Sequence, residues 1–257
     1  MSQLVDRTIT ALRSEHDTLA GLVRTLTDEQ LATTSGASDW TVAQALSHLG
    51  SGAEIGLAPI ARAAGETVAA EDNQTIWARW DASSPRAQAE GFLEHNARWL
   101  ETVEALTPEQ RSSLSVDLGF LPEPVPLLTA VAMRLNEVAN HSWDVRVAFD
   151  PTAGVDTESA AVLVEHLTGP LGFMLGFFAK PAELADPVSL AIPGGGLVID
   201  DAVTVVDHLD APSATFNGSA EAFVRLVSGR LKAPYDQGVT AEGNLTLDDL
   251  RKVFPGY

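Results

Sequence analysis

The sequence predicts a multi-domain α and α+β protein: a helical module over residues 1–150, followed by a small α+β module over residues 151–257. Three observations carry this expectation. Apolar residues recur at three- and four-residue spacing through the first 149 positions, the pattern of amphipathic helices. After Asp150-Pro151 the grammar changes to short β-like runs bounded by glycine and proline. The chain of 257 residues also exceeds a typical single domain of about 100–150.

Val5, Ile9, Leu12, His16, Leu19, Val23 and Leu26 mark a first helix with a histidine set among its apolar positions. Thr41 and Gln44 form a Thr-x-x-Gln capping-box pattern, so a second helix starts at Val42 and carries His48 about two turns in, with Val42, Leu46 and Leu49 as its stripe. Phe92, Leu93, Trp99, Leu100, Val103 and Leu106 mark a third, closed by Thr107-Pro108. Residues 127–149 supply the fourth, and four long amphipathic helices make a bundle. The connection over residues 62–84 is long for a bundle turn; it reads either as a lid or as a short helix at 73–80 packing Trp77 and Trp80.

In the second module, residues 157–178 read as one helix stopped by Pro181. Strands are expected at Val188–Ile192, Leu197–Ile199 and Val203–Val206, helices at Ala220–Val227 and from Thr246 onward. The run Pro193-Gly194-Gly195-Gly196 lies between two strands and lacks the Lys-Ser/Thr of a phosphate loop, so it reads as a hairpin turn.

Thirty-five acidic against sixteen basic residues give a formal charge of −19, which repels nucleic acid and anionic lipid and disfavours both as partners. The start of the chain has no basic, apolar leader and no stretch is long and apolar enough to span a bilayer, so a cytoplasmic protein is expected, as a monomer or homodimer. Cysteine is absent. The chain therefore has no disulfide framework and no thiolate of its own to act as nucleophile.

Glu137 and His141 stand four residues apart in Asn136-Glu137-Val138-Ala139-Asn140-His141, on one helical face with about 5–6 Å between Cβ atoms. Together with His48 from a neighbouring helix they make a two-histidine, one-carboxylate metal set. Three protein ligands leave a coordination position open for chemistry. The pair alone also reads as a surface ion pair; its position beside the stripe Val131, Leu135, Val138, Val145 and Phe149 puts it at the edge of the buried face, where a carboxylate needs a partner.

The segment Asp39-Trp40-Thr41 leading to His48-Leu49, followed by Asn136-Glu137-Val138-Ala139-Asn140-His141-Ser142-Trp143-Asp144, resembles the mycothiol-dependent maleylpyruvate isomerase family. The run Gly218-Ser219-Ala220 through Ser228-Gly229-Arg230, then Gly243-Asn244, is similar to the sterol-carrier-like domain that follows in the same family. The resemblance covers nearly the whole chain. It implies a DinB-like four-helix bundle over residues 1–150, a sterol-carrier-like α+β domain over 151–257, and a divalent metal, zinc, held by His48, Glu137 and His141. It further implies mycothiol as thiol cofactor, acting on a small electrophilic substrate. In such an isomerase the thiolate adds to an activated double bond, permits rotation and leaves again; a transferase stops at the adduct. Arg230 matches a functional arginine near the domain junction, with a role in orientation and charge stabilisation.

Asp144 lies three positions after His141 and either receives the second imidazole N–H of a metal-bound histidine or pairs with Arg146 or Arg134. His16 is either a support or thiol contact of the cofactor site or a core histidine bonded to nearby backbone. His95, His166 and His208 have no partner at ligand spacing, and Arg225 and Arg230 read either as carboxylate binders or as solvent-facing residues. Two competing functions stay open: a hydrolase using metal-bound water, and a non-enzymatic carrier of an apolar ligand in the C-terminal domain.

Overall fold

In the computed structural model, which describes residues 2–37, 39–69 and 71–256, the first helix, α1 (Ser2–Val23), buries Val5, Ile9, Leu12, His16, Leu19 and Val23 along one stripe. Leu26 is buried just beyond its end, and a capping box of Thr27 and Gln30 starts the one-turn α2 (Asp28–Leu31). Thr41 and Gln44 cap α3 (Val42–Ala63) in the same way, as the Thr-x-x-Gln pattern requires. The connection after α3 contains α4 (Asn73–Asp81), capped by Asp72, so the short-helix reading of that stretch holds. Trp80 is buried there while Trp77 stays 43% exposed.

Ser84 caps α5 (Pro85–Glu104), which buries Phe92, Trp99, Leu100 and Val103. Thr107-Pro108 ends that helix and at once opens another, α6 (Pro108–Ser113), because proline suits the first helical position, where its missing N–H costs nothing. A two-residue ladder of β1 (Ser115–Val116) with β2 (Val125–Pro126) leads into α7 (Leu127–Arg146). The four long helices pack as a ring in the order α1, α5, α3, α7. In contrast to the expected amphipathic stripe, no residue of α7 is fully exposed, and Arg134, Asn140, Ser142 and Asp144 are buried along with the apolar set. Each finds a partner: Asn140 donates to the Asn136 carbonyl at 2.9 Å, and Ser142 Oγ accepts from Arg146 Nε at 3.2 Å.

The chain divides into two compact units, Met1–Ala153 and Gly154–Tyr257. The second opens with α8 (Thr157–Leu167), capped by Asp156, and continues through a 3-10 turn at Gly172–Met174 into α9 (Leu175–Phe178). The single helix expected over 157–178 is thus broken, with an 81° bend between its halves. Gly169-Pro170 is the cause, since proline offers no N–H and its ring meets the carbonyl four residues back.

Strands β3 (Val188–Ile192), β4 (Gly195–Ile199) and β5 (Val203–Val206) form an antiparallel meander, with Pro193-Gly194 as the hairpin turn and Gly194 at φ +84°. A positive φ after proline is what this turn demands of its second central residue. Beyond it, β6 (Ala214–Asn217) pairs parallel with β3, α10 (Ala220–Val227) packs on α8, and β7 (Thr240–Gly243) pairs antiparallel with β6. The strand order is β5-β4-β3-β6-β7, and α11 (Leu247–Val253) closes the unit behind a Thr246/Asp249 capping box. Helices followed by a small sheet-containing unit are the fold class that the sequence predicts. No single helix among the described residues is long and apolar enough to cross a membrane.

Candidate metal centre

His48 comes from the second turn of α3, Glu137 and His141 from one face of α7, and their ligand atoms all lie within 4.8 Å of one another. His48 Nε2 is 2.9 Å from Glu137 Oε2, and His141 Nε2 is 3.7 Å from the same oxygen. Burial alone pushes the Glu137 carboxyl up, but the hydrogen bond from His48 and the nearby charges of His141, His48 and Arg134 outweigh it and hold the pKa down to about 2. The carboxylate is therefore ionised at neutral pH.

Around this trio the geometry fixes each ring. The carboxylate of Asp144, fully buried one turn further along α7, sits 2.8 Å from His141 Nδ1. An imidazole that gives its Nδ1–H to a carboxylate presents the Nε2 lone pair outward, as a metal ligand must. Trp40 covers the other side, with its ring centroid 5.5 Å from His141 in a stacked arrangement and 5.1 Å from His48. The two imidazoles stand edge to face at 4.7 Å.

Trp40 is placed by the loop before α3. Ser35 N–H donates to the Trp40 carbonyl, Val42 N–H to the Thr33 carbonyl, and Gly36 N–H to the Asp144 carbonyl at 2.7 Å. A Cβ on Gly36 would lie 2.8–3.0 Å from Val147, Asp144 and Trp143, so only glycine lets the loop approach α7 this closely. The loop thus ties Trp40 to the backbone of the residue that orients His141.

Beneath the trio runs a buried polar chain. Arg134, one turn before Glu137, donates from Nη2 to the Leu49 carbonyl at 2.7 Å and to Asn96 Oδ1 at 2.6 Å, and lies 5.9 Å over the Trp99 ring. Burial lowers its pKa to about 10, which leaves the guanidinium charged at neutral pH. Asn96 in turn donates from Nδ2 to His16 Nδ1 at 2.7 Å. His16 is 3% exposed, and burial, aided by Arg13, lowers its pKa to about 4. Of the two readings of His16, the ring enclosed in the core agrees with the core histidine, although its partner is the Asn96 side chain, which also accepts from Arg134, and not nearby backbone.

A cleft of about 170 Å³ opens beside His48, between α3 and α4. The helix α4 is clamped to α3 through Glu54, which accepts from both Arg79 Nη atoms and from Trp80 Nε1 at 2.7 Å. Burial raises the Glu54 pKa, yet the hydrogen bonds from Arg79 and Trp80 more than reverse that. The Trp80 ring fills a notch where Cβ atoms on Gly50 and Gly91 would lie 2.2 and 2.7 Å from it. His95, read as an ordinary residue, stacks edge to face on Trp80 and lies 3.8 Å from Glu54.

Among residues that the sequence reading missed, Trp40, Asn96, Glu54 and Gly36 stand out; only Trp40, next to the capping threonine, carried a local signal. Arg230 belongs to the second unit, where it is buried and its Nη1 donates to the Ser228 carbonyl at 3.2 Å. Arg225, also there, pairs with Glu221 at 2.8 Å instead of facing solvent. His208 is exposed near Asp210, and His166 is fully buried.

Residues 12–146 match the family model described as the mycothiol maleylpyruvate isomerase N-terminal domain. The chain belongs to this family. All three candidate ligands and Trp40 fall inside the matched span. Among solved structures, a crystal structure of mycothiol-dependent maleylpyruvate isomerase is 17% identical, covers 94% of each chain and superposes with a TM-score of 0.63. A histidine-to-alanine mutant of that protein, also 17% identical and with 94% coverage of each chain, gives 0.62. At this identity they show a shared fold. A search of curated proteins returns no match.

Proposed function

We propose that this protein is a metal-dependent enzyme that uses mycothiol for isomerisation or S-transfer on a small electrophilic substrate, with zinc held by His48, Glu137 and His141. The observation that carries the reading is the convergence of two imidazoles and one ionised carboxylate within 4.8 Å, with Asp144 behind His141. The donor set fits a catalytic zinc centre, for which two histidines and a glutamate are an established combination with one position left open. A divalent ion there supplies Lewis acidity and lowers the pKa of a thiol brought against it, giving this cysteine-free chain the thiolate it lacks.

The chain's own residues provide position and charge. Asp144 holds the His141 tautomer and Trp40 restricts the rotation of both rings. Arg134 keeps a fixed positive charge behind Glu137, tethered to Leu49 and Asn96. Arg230 is assigned a role in orientation and charge stabilisation on the family resemblance alone; in its own unit it is buried and donates to the Ser228 carbonyl.

The test is turnover of a panel of activated alkenes and other small electrophiles by the zinc-loaded, full-length protein, with and without mycothiol. Turnover is expected only with the thiol, and Arg230→Lys should lower kcat while zinc content is retained. Turnover in thiol-free buffer overturns the thiol mechanism in favour of hydrolysis.

A further inference from the structure

Arg134 reaches from α7 to two other helices at once. One NH2 group, Nη2, donates to the Leu49 carbonyl on α3 at 2.7 Å and to Asn96 Oδ1 on α5 at 2.6 Å, and Asn96 Nδ2 passes the chain on to His16 Nδ1 on α1. All four long helices are therefore joined by one line of polar bonds. Two of its anchoring points adjoin the metal trio, because Leu49 follows His48 in α3 and Arg134 precedes Glu137 by about one turn of α7. A single side chain thus links the backbone beside one candidate ligand to the helix that carries the other two.

This arrangement is not the most stable way to join helices. Arg134 is 8% exposed, its Nε has no hydrogen-bond partner among the described residues, and the carboxylate whose charge acts on it is that of Glu137. An apolar side chain of similar volume would pack there without the desolvation penalty of a partly unsatisfied guanidinium. What an apolar contact cannot do is fix how far α3 slides along its axis against α7, whereas a hydrogen bond to one carbonyl does. The backbone leaves room for that bond. A Cβ on Gly52 would lie 3.1 Å from Nη1, and the Leu49 carbonyl, inside α3, has a second lone pair beyond the one used by the helical ladder.

On a bound divalent cation Arg134 has two opposed effects. Its positive charge repels the ion, and its bonds hold the gap that the ion fills. We propose that Arg134 is a positioning residue of the metal centre in which the second effect wins: braced by Asn96, it sets the register of α3 against α7 and with it the span between His48 and Glu137. The proposal rests on the metal reading of the trio and adds the residue that sets its dimensions.

The sign of the change in affinity tests it. Full-length wild type, Arg134→Met, Arg134→Lys and Asn96→Leu are titrated with zinc against a chelator, and with cobalt, whose visible absorption reports coordination geometry. The zinc Kd should rise about ten-fold in Arg134→Met, the loss expected when a supporting partner of a ligand set is removed, and the cobalt bands should change. Arg134→Lys keeps the charge but not the planar fork, and Asn96→Leu removes the brace but not the charge, so both should fall between Arg134→Met and wild type. Val103→Ala, a cavity in the buried face of α5 about two turns beyond Asn96, serves as the destabilised control and should keep wild-type affinity and bands. Zinc binding in Arg134→Met as tight as in wild type, or tighter, overturns the proposal, as does an equal loss in Val103→Ala. Should wild type bind neither metal, the metal reading fails and the register is read in the metal-free chain, where nitrogen NMR of the imidazoles follows the 2.9 Å His48–Glu137 hydrogen bond. Weakening of that bond in Arg134→Met and Asn96→Leu but not in Val103→Ala sustains the positioning role; unchanged signals overturn it.

Discussion

The Nδ1 atom of His141 and the carboxylate of Asp144 lie 2.8 Å apart, one turn apart on α7, both enclosed by the bundle. The bond orients the ring so that Nε2 faces Glu137 and His48, so the candidate ligand set depends on a residue that does not belong to it.

Replacing Asp144 by asparagine keeps the shape but removes the negative charge behind the imidazole. Zinc affinity should fall about 10–100-fold, the usual cost of losing such a supporting carboxylate. Competition against a chelator of known affinity measures it; wild-type affinity in the variant would remove Asp144 from the site.

Purified protein should hold close to one divalent ion per chain, and His48→Ala should lose it, because two protein ligands bind far more weakly than three. Elemental analysis after incubation with zinc and gel filtration reads the outcome. A wild-type chain that stays metal-free ends the metal reading.

Two glycine-to-alanine changes on the long helices should act in opposite directions. A Cβ at Gly50 would sit 2.2 Å from the Trp80 ring, so Gly50→Ala should cost about 1–3 kcal/mol through overpacking. Gly21 in α1 has nothing within 4 Å, and Gly21→Ala should add about 0.5–1 kcal/mol from helix propensity and reduced unfolded-chain entropy. Urea denaturation of both variants checks the signs.

His16 makes stability depend on pH. Its pKa is lowered to about 4 in the folded chain, whereas an unfolded histidine titrates near 6.5, so between these values the unfolded state binds the extra proton. The neutral-ring contribution is complete above pH 6.5 and is lost as pH falls towards 4, by up to about 3 kcal/mol. Denaturation midpoints of wild type and His16→Leu, followed over that window, should converge as the pH drops; a constant gap contradicts the assignment.

The convergence of His48, Glu137 and His141 was legible because its signals are local: a capping box fixes where α3 starts and therefore where His48 falls, and four-residue spacing puts Glu137 and His141 together. Trp40 was present in the same stretch but its stacking on both imidazoles depends on a loop pinned to α7, which spacing does not encode. Arg134, Asn96 and His16 join three different helices, so their chain of bonds is visible only after packing. In the second unit, β6 was missed because Ala-Thr-Phe-Asn is short and its partner β3 lies far back in the chain. The break at Gly169-Pro170 stood in plain view, but the apolar run on either side dominated the reading.

The parallel pairing of β6 with β3 has a consequence for the order in which the molecule is made. The second unit cannot complete its sheet until β7 has been synthesised, and such non-local pairing is slow. The helical unit, by contrast, has all three candidate ligands by residue 141 and emerges from the ribosome before the second unit. His48, Glu137 and His141 can therefore come together on the nascent chain while the sheet is still being translated.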